Sequence, residues 1–135
     1  MSKVFPGELS LSYGAEPFDI HLEAKAAGKD ILAAVTGGTR PHIGAVSFAE
    51  PAGVRHPVTG VPAETDEPFP CVTVRTHTGF GHKDTILAEM FAEALCLCYG
   101  VNVCVAAGVH VDGAGKEEIE RMVRNAEVLC GLITS

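Results

Sequence analysis

The chain lacks tryptophan and has only two tyrosines among 135 residues. Aromatic platforms for stacking bases or large flat ligands are therefore scarce. Positive charge is also short: 10 Lys+Arg stand against 17 Asp+Glu, a formal net charge of −7. With no basic patch, the charge balance argues against nucleic acid as the main partner. No apolar run reaches the length of a membrane span. The first residues lack the basic segment and apolar core of a secretory signal. Together these absences lead us to expect a soluble, cytoplasmic protein.

The cysteines also exclude something. There are five, Cys71, Cys96, Cys98, Cys104 and Cys130, an odd number with no CxxC spacing. That argues against both a disulfide framework and a cysteine-based zinc site. Their apolar neighbours make them read as small buried hydrophobes in a reducing compartment. A Gly-x-Ser-x-Gly elbow, a P-loop and a GxGxxG fingerprint are all missing. Gly79-Phe80-Gly81 is too short to serve as the last of these.

What is present suits an ordinary globular core, with 47% hydrophobic and 20% charged residues. The length suggests one domain over residues 1–135. A short strand is possible over 9–13. Phe18, Ile20, Leu22 and Ala24 alternate with Asp19, His21, Glu23 and Lys25, which predicts a half-buried strand with His21 on its polar side. Strands follow over 31–35 and 43–48, and the short loops suggest an antiparallel meander. Residues 50–70 carry five prolines and two glycines, which excludes a helix or a central strand and reads as a long loop of the functional or mobile kind. His56 and Arg55 lie in it.

A strand is expected over 71–76, then a helix over 82–99 with apolar residues at 86, 87, 90, 91, 94, 95 and 98. Gly100 caps it. The valine-rich run 101–107 reads as a strand covered on both faces, and 115–132 as the last helix. The order β-β-β-β-α-β-α, with an optional first strand, is an α+β fold. It predicts a mixed sheet with the helices mainly on one face. The strands over 71–76 and 101–107, joined by one helix, are expected to be parallel neighbours.

Chemistry concentrates at three turns. The first, Thr36-Gly37-Gly38-Thr39-Arg40-Pro41-His42, lies between two strands. Gly37 and Gly38 permit positive φ, and the amides of such a turn can form an anion-binding nest. Arg40 adds a fork of donors suited to phosphate or carboxylate. An ordinary hairpin loop explains the same residues. The second turn, 77–84, brings Phe80, His82, Lys83 and Asp84 to a helix start, where anions bind readily. The third holds His110 and Asp112 beyond the apolar strand, on the side where ligands gather in open α/β sheets. His82 and His110 should therefore share a cleft. Whether His42 joins them depends on strand order. Three imidazoles, His42, His82 and His110, with Asp84 or Asp112, could hold a divalent metal. Gly37, Gly38, Arg40 and Lys83 could equally hold a phosphate.

The stretch Gly-Gly-Thr-Arg-Pro-His-Ile-Gly-Ala-Val (37–46), His82-Lys83-Asp84 opening a helix, and Gly108-Val109-His110-Val111-Asp112 together resemble the prenylated flavin chaperone LpdD-like family. Members are small subunits accompanying gallate-type decarboxylases of the UbiD class. The resemblance covers about residues 16–132. It implies a fold similar to proteasome-assembly-chaperone domains and a homodimer. It also implies handling of prenylated FMN, by chaperoning or maturing it, for a partner UbiD-class decarboxylase. A flavin mononucleotide needs a phosphate site, which Gly37, Gly38, Arg40, His42 and Lys83 would supply. Phe80 is the nearest candidate for stacking on the flavin ring. The 50–70 loop would be a lid or a partner surface. Two alternatives stay open: a small metal-dependent enzyme whose histidines activate water, and a structural subunit of a decarboxylase complex.

Overall fold

The computed structural model describes residues 2–55, 69–79 and 82–134, with Arg55, Phe69 and His82 described by backbone alone. His56, Phe80 and most of the proline-rich stretch lie outside the described residues. The elements are β1 (Glu8–Tyr13), β2 (Ile20–Ala27), β3 (Asp30–Gly38), β4 (Ala45–Arg55), β5 (Phe69–Thr78), α1 (His82–Tyr99), β6 (Val103–His110) and α2 (Lys116–Thr134).

They form one six-stranded sheet in the order β1-β2-β3-β6-β4-β5. Among the described residues only β3 and β6 pair in parallel; the other pairings are antiparallel. The fold is α+β with a mixed sheet. Both helices pack on one face, α1 over β4, β5 and β6, and α2 against α1, β1 and β2.

Alternation places the core. Ile20, Leu22 and Ala24 of β2, Ile31, Ala33 and Val35 of β3, and Val103, Val105, Ala107 and Val109 of β6 all turn to the helices and are buried. Such a period-2 pattern commits each strand to one register. The stripe of α1 runs through Leu87, Phe91 and Leu95 with the small residues Ala88, Ala92 and Cys96 beside it, which lets the helix lie close to the sheet. Ile86 is off this stripe and half exposed. Gly100 ends the helix at φ +68, its amide donating to the Cys96 carbonyl at 2.8 Å.

Three expectations need correction. The strands over 31–35 and 43–48 do not form a hairpin, because β6 lies between β3 and β4. The strands around α1 run parallel but are not neighbours, because β4 separates β5 from β6. Pairing order depends on long-range packing that local periodicity does not carry. Finally, β4 continues through Pro51 to Arg55 rather than ending before the prolines. Its pairing with β6 stops at Ala49, so Pro51 has a ladder on the β5 side only, and the register shifts between Pro51 and Val54. A bulged segment flanked on one side tolerates a missing N–H.

The cysteines differ from expectation too. Only Cys96 is fully buried; Cys71, Cys98, Cys104 and Cys130 are partly exposed. Burial pushes the thiols of Cys96 and Cys130 up to about 11, with the charges of Glu50 and Glu93 respectively adding to it.

Candidate functional site

The topology draws the three chemical turns to one edge of the sheet. β3, β5 and β6 all end there, and β4 begins there. The segment 39–44 leaves β3, crosses the end of β6 and enters β4. Its crossing depends on missing side chains. A Cβ on Gly108 would run into the carbonyl of His42, and a Cβ on Gly44 into the carboxylate of Asp84. The Gly44 amide donates to the Ala107 carbonyl at 2.8 Å, and the Gly79 amide to the Gly44 carbonyl at 2.7 Å. These contacts tie the start of β4 to β6 and the end of β5 to the start of β4.

Asp84 is the hub. It sits in the first turn of α1 and is fully buried. One carboxylate oxygen accepts the Val109 amide at 3.0 Å, and the other lies 3.1 Å from Nε2 of His42. The positive end of α1 favours its negative charge. Val109 would otherwise have an unpaired amide where β4 no longer reaches, so the carboxylate completes the ladder.

His42 lies 40% exposed over that buried carboxylate. Its Nδ1 is 3.1 Å from the Arg40 carbonyl. Carbonyl and carboxylate are both acceptors. The ring therefore engages both only when each nitrogen bears a proton, or when Asp84 carries one. As arranged, His42 has no ring nitrogen left for a metal.

His110 lies beside it, the ring centroids 6.3 Å apart and nearly perpendicular. Its Nε2 is 3.1 Å from Asp112, whose second oxygen is 3.2 Å from Nε of Arg40. The site thus holds two imidazoles, each backed by a carboxylate, with one guanidinium on its rim. His110 and Lys83 also line one cavity of 150 Å³ with Val111, Gly113, Ala114 and Ile119. This pocket opens next to the start of α1, so an anion there would meet a lysine and a helix dipole.

The structure therefore brings together Arg40, His42, Lys83, His110, Asp84 and Asp112. Gly37 and Gly38 are the last residues of β3, and they serve close approach. A Cβ on Gly37 would meet the Asp19 carbonyl, and one on Gly38 the His110 carbonyl, with Gly38 at φ +80. The amides of Thr39 and Arg40 both donate to the His110 carbonyl, at 2.8 and 3.2 Å. They point into the protein rather than forming an outward nest. His21 stands apart, paired with Asp19 at 2.5 Å. Phe80 and the side chain of His82 lie outside the described residues. Among the described residues no three His, Cys, Asp or Glu side chains are arranged to hold a metal ion. Sequence reasoning placed Asp84 only as a possible metal companion; its position in the first turn of an apolar helix was the available signal for a capping role.

The family model for the prenylated flavin chaperone LpdD-like domain matches residues 14–135. The chain belongs to the prenylated flavin chaperone LpdD-like family. A curated relative in this family, Protein LpdD of Lactiplantibacillus plantarum (strain ATCC BAA-793 / NCIMB 8826 / WCFS1), is 33% identical over 92 residues. That match spans 68% of this chain and 57% of the relative. Among solved structures, a chain of the chaperone complex for yeast 20S proteasome assembly superposes with a TM-score of 0.57, covering 93% of this chain and 89% of its own. At 10% identity this is a likeness of fold alone. No helix among the described residues is long and apolar enough to cross a membrane.

Proposed function

We propose that the chain binds prenylated FMN at the His42/His110 edge and chaperones or matures it for a partner UbiD-class decarboxylase. The observation that carries this reading is the LpdD-like family match over residues 14–135. The geometry supports it. Lys83 and the start of α1 border the cavity, and Arg40, held by Asp112 next to His110, lies at the same sheet edge; these are the donors that a phosphate monoester needs. In this reading Arg40 and Lys83 hold the phosphate, and Gly37 and Gly38 let the backbone carry them to the rim. His42 presents its ring face rather than a nitrogen. When bound, the prenylated flavin supplies the electron-accepting ring that a decarboxylase uses. This chain's residues bind its phosphate, orient it and hold protons on His42 and His110 beside it. The working form is a homodimer in the cytoplasm.

The direct test is to co-express the chain with a prenyltransferase that makes prenylated FMN. Purification follows under anaerobic conditions, and the native mass is read. The reading predicts a mass increment of one prenylated FMN per chain or per dimer. Absence of any flavin adduct, with the prenylated FMN present in the lysate, contradicts it.

A further inference from the structure

One face of the sheet carries both helices; the other carries neither. On that open face the register aligns two apolar rows across β3, β6 and β4. Leu32, Cys104 and Phe48 form one, and Ala34, Ala106 and Val46 the other. Leu32 is 49% exposed and Phe48 39%. A groove of 510 Å³ lies on the same face over β1–β3, bounded by Glu8, Glu23, Lys25, Leu32 and Ala34. The first row ends in charge. Glu8 and Lys25 flank Leu32 at one margin, and Arg75 lies beyond Phe48 at the other.

We propose that two copies of this chain pack open face to open face about a two-fold axis parallel to β3 and β6. The proposal rests on the dimer named above and identifies its surface. Three observations favour a second copy as the occupant.

The first is area. Six strands at about 4.8 Å spacing and about eight residues at ~3.3 Å rise give a face of roughly 750 Å², close to the ~800 Å² per partner of a stable interface. The second is complementarity. A two-fold parallel to the strands sets the β1–β3 margin of one copy against the β4–β5 margin of the other. Glu8 then faces the second copy's Arg75, and the second copy's Phe48 comes over the groove beside Lys25 and Leu32. A two-fold across the strands would instead set Arg75 against Arg75. The small residues Ala34 and Ala106 lie near the axis and let the sheets approach.

The third is the site itself. The cavity at Lys83 and His110, bounded on the helix side by Ile119 and Met122, measures 150 Å³, well below the ~300–1,000 Å³ of pockets that enclose a cofactor-sized ligand, so a larger ligand would extend to the open side. The open side of that edge is bounded by Ile43, 71% exposed. His110 continues the open-face alternation of Cys104 and Ala106 in β6. With the axis parallel to the strands, both His42/His110 clusters come to the same end of the paired sheets. Each copy then sets its His110 and Ile43 against the other's cluster, so the open-face side of the site is bounded by both copies.

The test uses light scattering on the full chain and on variants, with folding checked by circular dichroism and FMN as the probe. The wild type at about 50 μM is expected to be a dimer. Phe48→Glu should be a monomer with an unchanged spectrum and at least tenfold weaker FMN binding, whereas Leu97→Glu, an exposed change on α1, should stay a dimer. Glu8→Arg should weaken the dimer at least tenfold, and Glu8→Arg with Arg75→Glu should restore it. A monomeric wild type overturns the dimer and the surface together. A Phe48→Glu dimer overturns the surface alone, and failure of the charge swap overturns the axis. A folded Phe48→Glu monomer that binds FMN as the wild type does overturns the shared site. If the wild-type dimer binds no FMN, the flavin reading fails while light scattering still decides the interface.

Discussion

Nε2 of His42 lies 3.1 Å from a carboxylate oxygen of Asp84, a side chain that is 1% exposed. The other oxygen of Asp84 accepts the Val109 amide. One buried carboxylate thus fixes both the segment that carries Arg40 and the end of the strand that carries His110. The site's geometry and the fold's stability meet at this residue.

Asp84→Ala strips a partner from the buried Val109 amide and from His42, and should cost about 2–3 kcal/mol, the scale of an orphaned buried polar group. Asp84→Asn should cost about half as much. Its carbonyl can still accept from Val109, and its amide can donate to a deprotonated Nε2. Urea denaturation of the three proteins checks the order. Equal losses for Ala and Asn would show that the hydrogen bonds do not carry the effect.

Gly44→Ala should be severely destabilising, because its Cβ would enter the space of the Asp84 carboxylate. The same change in an Asp84→Ala background should cost at least 1 kcal/mol less, since contacting residues couple by about 0.5–3 kcal/mol. A double-mutant cycle by denaturation measures this coupling. Strict additivity would remove the close approach as the reason for glycine at 44.

Asp112 competes for Arg40, which it meets at 3.2 Å. Asp112→Asn should therefore tighten binding of inorganic phosphate or FMN several-fold, by freeing the guanidinium and removing a negative charge from the rim. Arg40→Ala should weaken binding by about 1.5–3 kcal/mol, the worth of a hydrogen bond to a charged group. Fluorescence titration of FMN against the two variants tests both directions.

The raised thiols of Cys96 and Cys130 give a pH prediction. Their folded-state values, about 11, lie above the ordinary 9.0. The stability that the protonated thiols contribute is fully present below about pH 9 and is lost as pH rises through about 11. Denaturation midpoints should accordingly fall over that window. The double variant Cys96→Ala and Cys130→Ala should fall less steeply than the wild type. At pH 8.5 iodoacetamide should also modify Cys71 well before Cys96, as peptide mass spectrometry would read.

Much of the fold was legible because burial is one-sided. The alternation at Ile20, Leu22 and Ala24, and the periodic residues Leu87, Phe91 and Leu95, mark their elements with local signals alone. Strand order was not legible. Nothing in the pattern of β3 or β4 encodes that β6 inserts between them. That insertion turns a supposed hairpin into a segment crossing the end of β6. Of the site, Arg40, His42, Lys83 and His110 stood out because they lie in or next to glycine- and proline-containing turns at element ends. The roles of Gly44 and Gly108 were hidden, since a glycine that clears a carbonyl or carboxylate reads like any other glycine until the neighbouring strand is in place. The open face was equally invisible: Leu32, Cys104 and Phe48 become one row only through register.

The most direct test of the central claim compares FMN, prenylated FMN and riboflavin by calorimetric titration against the wild type, Arg40→Ala and Lys83→Ala. If the His42/His110 edge holds a flavin through its phosphate, both phosphorylated flavins bind the wild type at least tenfold more tightly than riboflavin, and either substitution erases most of that advantage. Equal affinity for FMN and riboflavin, or an advantage that survives in both variants, would contradict the account.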